Sequence, residues 1–232
     1  MTIELQAPRM LLGTITTVSC YTLRGSPFVA MAKAHFVADQ GITGDLHSDE
    51  LSPRQVLLAS RSVYEDYALP PQVLRENLLV GFDTAALHSG TVLQIGGAVR
   101  LRVMFQCEAC GKLDLLRPGL ARQVGRRRGV LARVLAAGQV EAGNAISDLG
   151  PLAPAWSDDW RERVRRVLDA VPAGAVVEYR HLARLAGIQS SYCRAFPRLL
   201  GRLGARYAAR AVPAQSAVGL PRWMGERLFE RF

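Results

Sequence analysis

Two closely spaced cysteines are the residues of this sequence best suited to chemistry. Cys107 and Cys110 form a Cys-x-x-Cys pair directly after the alternating apolar segment Val99–Phe105. Such a pair can be half of a zinc site or the redox pair of a thioredoxin-like protein. No second Cys-x-x-Cys or nearby histidine pair completes a zinc site, and Gly111 and Pro118 argue against the long helix of a thioredoxin motif. Two buried, chemically incidental thiols are the remaining alternative.

The segments that surround these cysteines predict a β-rich first domain interrupted by short helices. Period-2 alternation of apolar and polar residues indicates half-buried strands, whereas a spacing of three or four indicates helices. The predicted strands are Gly13–Val18, Ala34–Ala38, Thr91–Ile95 and Val99–Phe105. The predicted helices are Arg61–Tyr67, Gly119–Gln123 and a short piece around Val130–Ala136. Many short strands with few helices favour a barrel or a sandwich.

A composition break at Leu149–Pro154 predicts a second, mostly helical domain. Two prolines and a glycine among small residues resist helix and sheet alike, as expected of a linker. We place the first domain at residues 1–149, the linker at 150–155 and the second domain at 156–232. The second domain is predicted to contain helices at Asp158–Ala170, Tyr179–Leu185 and Ser191–Leu203, and a short strand at Ala175–Val177. The last two helices, joined by a turn with Gly187, suggest a helix-turn-helix and an α+β protein overall.

Length, composition and charge limit the class of protein. The 232 residues include 49% hydrophobic and 21% charged residues, as in ordinary globular proteins. Four cysteines are too few for a disulfide scaffold, and no apolar run approaches the roughly 20 residues that span a bilayer. We therefore expect a reduced, cytoplasmic protein without a membrane partner.

The positive charge is concentrated in the second domain. Residues 155–232 contain 14 Arg and no Lys against seven Asp and Glu, and so carry +7 of the total +9. A small domain with this charge suggests a polyanionic partner such as nucleic acid. A genome rich in G and C, which favours arginine codons, is the alternative explanation.

Six segments of the first domain occur in an order that resembles the MOSC domain, a family related to the C-terminal part of molybdenum cofactor sulfurase. The resemblance covers about residues 9–149. The segments are GITGDLH (41–47), RQVLL (54–58), RENL (75–78), LHSGTVLQIG (87–96), CEAC (107–110) and GRRRGVLARVLAAGQVEAGNAI (125–146). The resemblance implies a β-barrel-like fold and a molybdopterin-type molybdenum cofactor with a cysteine ligand.

The MOSC resemblance also implies roles for individual residues. Cys110 best matches the family cysteine and Cys107 is the second choice, as the molybdenum ligand or sulfur carrier and thus as the catalytic residue. A thiolate suits both roles, because it is a soft ligand and can carry a persulfide. The anionic cofactor would be bound by arginines, whereas Asp45 and Asn77 would fix turns and could also line the pocket. These arginines are Arg54, Arg75, Arg126, Arg127 and Arg128. Many family members have glycine at the position of Arg75.

The second domain resembles the DNA-binding domain of O6-alkylguanine-DNA alkyltransferases. The match covers about residues 156–232 and rests on V-P-x-G-x-V-x-x-Y (171–179), HLARLAG (181–187), YCRAF (192–196) and SAVG (216–219), followed by a predicted closing helix at Trp223–Phe232. It implies a winged helix-turn-helix and DNA with alkylated or otherwise damaged bases as the partner.

The alkyltransferase nucleophile is missing from this sequence. Alignment on 217–219 places Ala208 at the reactive cysteine and Ala209 at the activating histidine, so alkyl transfer is excluded. The resemblance is therefore to alkyltransferase-like proteins, which bind alkylated DNA without repairing it. It implies that Arg194 enters the base stack and Tyr179 turns the target nucleotide, while phosphates are contacted by Arg198, Arg202 and Arg206. Pro197 predicts a kink in the third helix.

These observations lead to one main hypothesis and two alternatives. The main hypothesis is a molybdenum-cofactor MOSC protein with a DNA-binding domain, which senses or acts on N-hydroxylated or O6-alkylated bases. It would be a molybdenum-dependent oxidoreductase or a sulfur-transfer protein, and not a methyltransferase. The alternatives are a non-catalytic module that recognises DNA lesions, and a MOSC sulfur carrier or small-molecule reductase.

Overall fold

The computed structural model describes residues 10–109, 111–216 and 219–229, which form two compact units. The first unit contains the described residues up to Glu50 and Arg54–Trp156, and the second contains Leu51–Pro53 and residues from Ser157 onward. Each unit is described separately below.

Seven strands of the first unit close into a barrel. In order around the barrel they are β11 (Ala145–Asp148), β7 (Val92–Ile95), β8 (Val99–Gln106), β9 (Val130–Ala136), β5 (Val56–Ser60), β6 (Leu78–Val80) and β1 (Met10–Cys20), which pairs back to β11. The pairs are antiparallel except for β5 with β6. Strand β2 (Val29–Met31) extends the sheet beside β1, and a separate sheet contains β3 (Lys33–Val37), β4 (Gly41–Ile42) and β10 (Gly138–Glu141).

Short helices connect the barrel strands. Helix α1 (Arg61–Tyr67) begins at Ser60, whose hydroxyl accepts a hydrogen bond from the backbone N–H of Ser62, as an N-cap does. Helix α2 (Leu120–Val124) follows later in the chain. Single 3-10 turns occur at Thr84–Ala86, Leu113–Leu115 and Gly125–Arg128.

The apolar side chains inside the barrel explain why the strand patterns could be recognised. Val18, Leu58, Leu101 and Ile146 come from four different strands and are buried in one core. A second core lies under α1 and α2, where Val63, Leu74 and Leu120 are buried together. The predicted β-barrel-like fold is therefore confirmed, as are the predicted helices at 61–67 and 119–123 within one residue.

The prediction of a helix around Val130–Ala136 is wrong, because this segment is strand β9 between β5 and β8. Arg133 explains the error. Its side chain is 3% exposed and donates hydrogen bonds to the carbonyl of Glu50 and the carboxylate of Asp39. A buried arginine in mid-strand disturbs the apolar alternation by which strands are recognised.

The segment expected to be a linker is bound to the barrel along part of its length. The N–H of Gly90 donates to the carbonyl of Val103, and its carbonyl accepts from the N–H of Ala153. Arg102 donates to the carbonyl of Pro154 at 2.6 Å. The N–H of Trp156, a buried residue, donates to the hydroxyl of Ser89 at 2.7 Å. These contacts keep residues 153–156 on the first unit.

The second unit is mostly helical. Its helices are α3 (Trp160–Ala170), α4 (Tyr179–Leu185), α5 (Phe196–Leu203) and α6 (Ala205–Ala208), and a 3-10 helix spans Ser190–Ala195. Asp159 caps α3, and Val164, Val167 and Leu168 form its buried stripe, as the sequence predicted. Arg163, on the same face, is also buried and donates to three backbone carbonyls.

The third helix of the second unit differs from its prediction. Residues 190–195 form a 3-10 helix and α5 begins only at Phe196, so Pro197 occupies the first turn. Proline is tolerated there because its missing N–H has no partner in a first turn, and the expected kink in mid-helix does not arise. The predicted closing helix is also wrong for its described part, since Trp223–Phe229 contains turns and no helix.

The strands of the second unit do not form a hairpin in the described part of the chain. Strand β12 (Val177–Glu178) pairs in parallel with β13 (Ala211–Val212), whereas a hairpin wing requires antiparallel neighbours. The winged helix-turn-helix therefore remains a prediction. No helix in the described ranges is both long and apolar enough to cross a membrane.

Candidate functional site

Cys107 lies at the end of strand β8, which pairs with β9 in the barrel. It follows β8, is 6% exposed, and its backbone N–H donates to the carbonyl of Gly129 at 2.8 Å. Cys110, the preferred ligand on sequence grounds, lies outside the described residues. The position of the Cys-x-x-Cys pair at a strand end is therefore defined through Cys107 alone.

Gly129 lets the chain pass very close to β5. Its φ of +121° lies in a region that favours glycine, and a Cβ at this position would overlap the carbonyl oxygen of Leu58. Through its carbonyl, Gly129 also joins the end of the arginine turn Gly125–Arg128 to the backbone of Cys107.

Arg128 and Glu76 are two buried ionisable residues that interact electrostatically. Arg128 is 7% exposed and Glu76 is 4% exposed. The Tyr64 hydroxyl donates to Glu76 Oε2 at 2.6 Å. Burial raises the pKa of Glu76, and the Tyr64 hydrogen bond and the charge of Arg128 only partly oppose this effect. The carboxyl is thus less ready to carry a full negative charge than an exposed glutamate is.

The 3-10 turns Thr84–Ala86 and Gly125–Arg128 each contain a buried side-chain atom without a hydrogen-bond partner among the described residues. The two atoms are Nη1 of Arg128 and Oγ1 of Thr84, and Thr84 is fully buried. The 3-10 turns that contain these residues contact each other, and Gln106 donates to the carbonyl of Thr84 at 3.2 Å. Leaving a buried donor without a partner costs about 1–3 kcal/mol. A ligand that supplies an acceptor here would remove this cost and would therefore be stabilised. We call Cys107, Arg128, Glu76, Tyr64 and Thr84 the Cys107 cluster. Cys107 is bonded to Gly129, the residue after Arg128, and the charge of Arg128 acts on Glu76 and Tyr64.

The other arginines expected to bind the cofactor are not all brought to this cluster. Arg127 donates to Asp66 at 2.6 Å and to Ser62 at 3.1 Å, so it is engaged with α1. Arg126 is exposed and Arg54 is half-buried. Of the three arginines of this turn, only Arg128 is buried.

A second polar network is centred on the buried carboxylate of Asp45. Its Oδ2 accepts from the N–H of Tyr21 at 2.8 Å and from Nδ2 of Asn77 at 2.9 Å, and its Oδ1 pairs with Nδ1 of His47 at 2.9 Å. Burial alone would raise the pKa of Asp45, but hydrogen bonds from His47 and Tyr21 outweigh it and the pKa is lowered. Asp45 therefore remains ionised and joins three chain segments.

Asn77 has a positioning role in this network. Its Nδ2 donates to Asp45 and to the carbonyl of Ser19, while its Oδ1 accepts from the N–H of Leu57. Both amide hydrogens are used within the protein, so a direct cofactor contact would have to displace one of them. The expected turn-fixing role is thus the one that these contacts favour.

Arg75 lies against two aromatic rings in an uncommon backbone conformation. Its guanidinium carbon is 4.5 Å from the ring centroid of Tyr21 and 5.5 Å from that of Phe28. Its φ of +57° is left-handed, which costs most residues about 1–2 kcal/mol and glycine very little. The glycine that many MOSC proteins have here is the residue that this conformation favours.

The arginines expected to bind DNA lie on the surface of the second unit. Arg194, Arg198 and Arg202 are exposed and make no ion pair in the described part of the chain. The acidic residues of α3 are instead paired locally, because Glu162 and Asp169 both contact Arg165. Residues 190–203 contain no acidic side chain, so this segment has an excess of positive charge.

Other residues expected to contact DNA are already engaged with neighbouring side chains of the second unit. The Tyr179 ring packs edge-on against buried Phe196 at 5.5 Å, and its carbonyl accepts from the thiol of Cys193. Burial raises the pKa of the Cys193 thiol, which makes it a poor nucleophile. Ala208 is exposed at the end of α6, where it offers no reactive group. Arg206 instead donates to the hydroxyl of Tyr207.

Several site residues could not be recognised in the sequence. Tyr64, Glu76 and Thr84 belong to different segments of the sequence. Tyr64 and Glu76 meet only through the fold, and so do the 3-10 turns that contain Thr84 and Arg128. His47 was visible as the end of GITGDLH, and its separation of two residues from Asp45 is the signal that could have indicated the pair. Among the described residues, no group of three His, Cys, Asp or Glu could hold a metal ion.

Two crystal structures are similar in fold to this chain. The YuaD protein from Bacillus subtilis has 22% identity and a TM-score of 0.52, and the match covers 62% of this chain and 98% of that one. A hypothetical protein has 17% identity and a TM-score of 0.52, and the match covers 85% of this chain and 94% of that one, which is more than the first unit. No curated protein sequence matches. None of these matches concerns an alkyltransferase-like domain. Residues 45–147 match the family model of the MOSC domain, and the resemblance deduced from the sequence is supported for this part of the chain.

Proposed function

We propose that the first unit binds a molybdopterin-type molybdenum cofactor through a thiolate of the Cys107–Cys110 pair. The observation that carries this proposal is the unpartnered Nη1 of Arg128, a buried donor in the residue before Gly129, whose carbonyl accepts from the N–H of Cys107. The cofactor carries a phosphate and an anionic dithiolene, and arginine is the side chain best suited to such groups.

The residues of the Cys107 cluster fit an anionic ligand. Arg128 would donate to it, and Thr84 offers a hydroxyl that can donate or accept. Burial raises the pKa of Glu76, so this carboxyl opposes an anion less than an exposed glutamate does. A soft thiolate is the ligand type that molybdenum accepts. The bound group would supply redox or sulfur-transfer chemistry, as the sequence hypothesis states.

The cofactor proposal is tested on full-length protein by measuring its molybdenum and pterin contents after anaerobic purification. Cys107→Ser and Cys110→Ser are expected to identify the ligand through loss of molybdenum, and Arg128→Gln to reduce pterin content. Cys193→Ser, in the second unit, is the matched control and should leave both contents unchanged. If all three site variants keep the native molybdenum and pterin contents, the proposal is wrong.

We further propose that the second unit binds DNA without alkyl transfer. The exposed and unpaired Arg194, Arg198 and Arg202 support this proposal, because phosphate contacts require arginines that are not already neutralised. Ala208, at the position of the missing nucleophile, supports the absence of alkyl transfer. Tyr179 is a less suitable contact than expected, since its ring is packed on Phe196.

The DNA proposal is tested with duplexes that do or do not contain O6-methylguanine. Arg194→Ala is expected to weaken binding to the modified duplex more than to the unmodified one, because an inserted side chain replaces the extruded base. Arg165→Ala, which removes an arginine already paired on α3, is the control. If Arg194→Ala binds each duplex with the same affinity as the native protein does, Arg194 does not replace an extruded base.

A further inference from the structure

We propose that the first unit binds the surface of an anionic lipid membrane through two adjacent exposed leucines and the cations around them. Leu115 ends the 3-10 turn Leu113–Leu115 and Leu116 follows it, and these two leucines are 86% and 49% exposed. Single exposed apolar residues are common, whereas a contiguous apolar group bordered by charges marks an interaction surface. We call Lys112, Leu115, Leu116, Arg117 and Arg122 the leucine patch.

The fold holds the leucines next to a cation of helix α2. Oδ1 of Asp114 accepts a hydrogen bond from the N–H of Ala121 at 2.9 Å, and Leu113 is buried in the core under α1 and α2. Because Leu115 follows Asp114 and Arg122 follows Ala121, this hydrogen bond brings Leu115 and Arg122 onto neighbouring turns. The patch is therefore formed by tertiary contacts as well as by sequence order.

The three cations of the patch are exposed and not neutralised. Lys112 precedes the 3-10 turn, Arg117 directly follows Leu116, and Arg122 lies on α2. Arg117 donates to the carbonyl of Tyr67 at 3.4 Å, which leaves its positive charge uncompensated. None of the three pairs with a carboxylate in the described ranges. Their charge is thus available to an external anionic surface.

The positive charge of the first part of the chain is concentrated around the patch. Residues 108–128 contain six Lys and Arg against two Asp and Glu, whereas the rest of residues 1–154 contain nine against eleven. Clustered cations attract anionic lipid headgroups, and an aliphatic side chain among them can enter the boundary between headgroups and acyl chains. The same charge opposes contact between the patches of two copies of this chain.

The composition of the patch favours a lipid surface over the other anionic partners. Phosphates of a nucleic acid would engage the cations and would leave Leu115 in water. A protein would have to supply an apolar pocket bordered by carboxylates, whereas a bilayer accepts a protruding side chain without a preformed pocket. No helix in the described ranges can cross a membrane, and peripheral binding requires none.

The experiment measures binding of the full-length protein to lipid vesicles by flotation at low ionic strength. One set of vesicles contains phosphatidylcholine alone, and the other contains about one third phosphatidylglycerol, which is anionic. The native protein is expected to bind the anionic vesicles about tenfold more tightly and to lose this preference as salt is added. Equal binding to both sets would overturn the proposal. So would binding to neither, which is the result that an acidic protein partner predicts.

Two variants test the contributions of the leucines and of the cations. Leu115→Ser should weaken binding to anionic vesicles about tenfold, because the apolar side chain that enters the lipid is lost. Arg122→Gln should weaken it about fivefold, as expected for one cation near an anionic surface. Both side chains are exposed, so folding should be unaffected. Leu46→Ser and Arg61→Gln are the matched controls and should bind like the native protein, because Leu46 is 48% exposed outside the patch and Arg61 is paired with Glu65.

A tryptophan at the tip of the turn reports insertion directly. In Leu115→Trp, binding to anionic vesicles should shift the added fluorescence to shorter wavelengths, because the indole ring leaves water. Unshifted fluorescence of the bound variant, or native affinity in both Leu115→Ser and Arg122→Gln, would place the lipid contact elsewhere on the chain and overturn the proposal. These outcomes are independent of the cofactor experiment, which measures molybdenum and pterin.

Discussion

Individual residues show where the sequence was informative and where it was not. Cys107, Asp45 and Asn77 belong to recognisable motifs, and their backbone surroundings agree with the turns and strand ends expected of them. Glu76 and Tyr64 are 12 residues apart and meet only through the fold, so no local pattern could pair them. Arg75 illustrates an intermediate case, because a family preference for glycine indicated the conformation but not the aromatic contacts.

Arg75 provides a direct test of backbone strain. Arg75→Gly should be more stable than Arg75→Ala by about 1 kcal/mol, because alanine keeps the strain of φ +57° and both lose the contact with Tyr21. Urea denaturation followed by circular dichroism gives the difference in the free energy of unfolding. Equal stabilities of the two variants would show that the backbone is not left-handed at this position.

Asp45 should make stability depend on pH. Because its pKa is lowered in the folded protein, the carboxylate stabilises the fold above the pKa of an unfolded aspartate, about 3.9, and this contribution is lost as pH falls through the lower folded value. The native protein should therefore exceed Asp45→Asn in free energy of unfolding at pH 7, and the difference should shrink below pH 4. A difference that grows in acid would contradict this assignment.

Secondary-structure elements were predicted well where one face is apolar. The strand at Val99–Phe105 and the helices at 61–67 and 179–185 have clear periodicity, and the structure confirms them. The segment Val130–Ala136 was expected to be a helix and is strand β9. The sequence pattern misled the prediction because Arg133, in the middle of the strand, is buried by bonds to residues far away in the sequence. Pro197 shows the same limit: its effect depends on where the helix begins, and the preceding 3-10 turn was not foreseen.

The contact between β5 and the start of β9 should be sensitive to one added carbon. Gly129→Ala is expected to lower stability by about 2–4 kcal/mol, because its Cβ would overlap the carbonyl of Leu58 and φ +121° is unfavourable for alanine. Gly97→Ala is the matched control, as its Cβ meets open space. Thermal unfolding of both variants measures the effect, and similar melting temperatures would refute the close approach.

At the scale of the whole molecule, the two parts of the chain differ in net charge. The excess of arginine after residue 155 was evident from composition, and the structure adds which arginines are already neutralised. The closed barrel was predictable as a class from many short strands. The closure of the barrel by pairing of β1 with β11 was not predictable, because most of the sequence of the first unit lies between these two strands.

The unpaired arginines of the second unit should determine the salt dependence of DNA binding. Each phosphate contact contributes about 0.9 to the slope of log affinity against log salt, so replacing Arg194, Arg198 and Arg202 by alanine should reduce the slope by about 2–3. Binding to unmodified duplex over a range of salt concentrations measures it. A slope unchanged in the triple variant would place the DNA contact elsewhere.

Binding of a molybdenum cofactor is the central proposal for this protein, and one measurement tests it most directly. Molybdenum and pterin are quantified in native full-length protein purified without oxygen from cells supplied with molybdate. We expect both components in equal and stoichiometric amounts, with pterin reduced in Arg128→Gln. Native protein that contains neither, while its barrel is folded, would contradict the proposal.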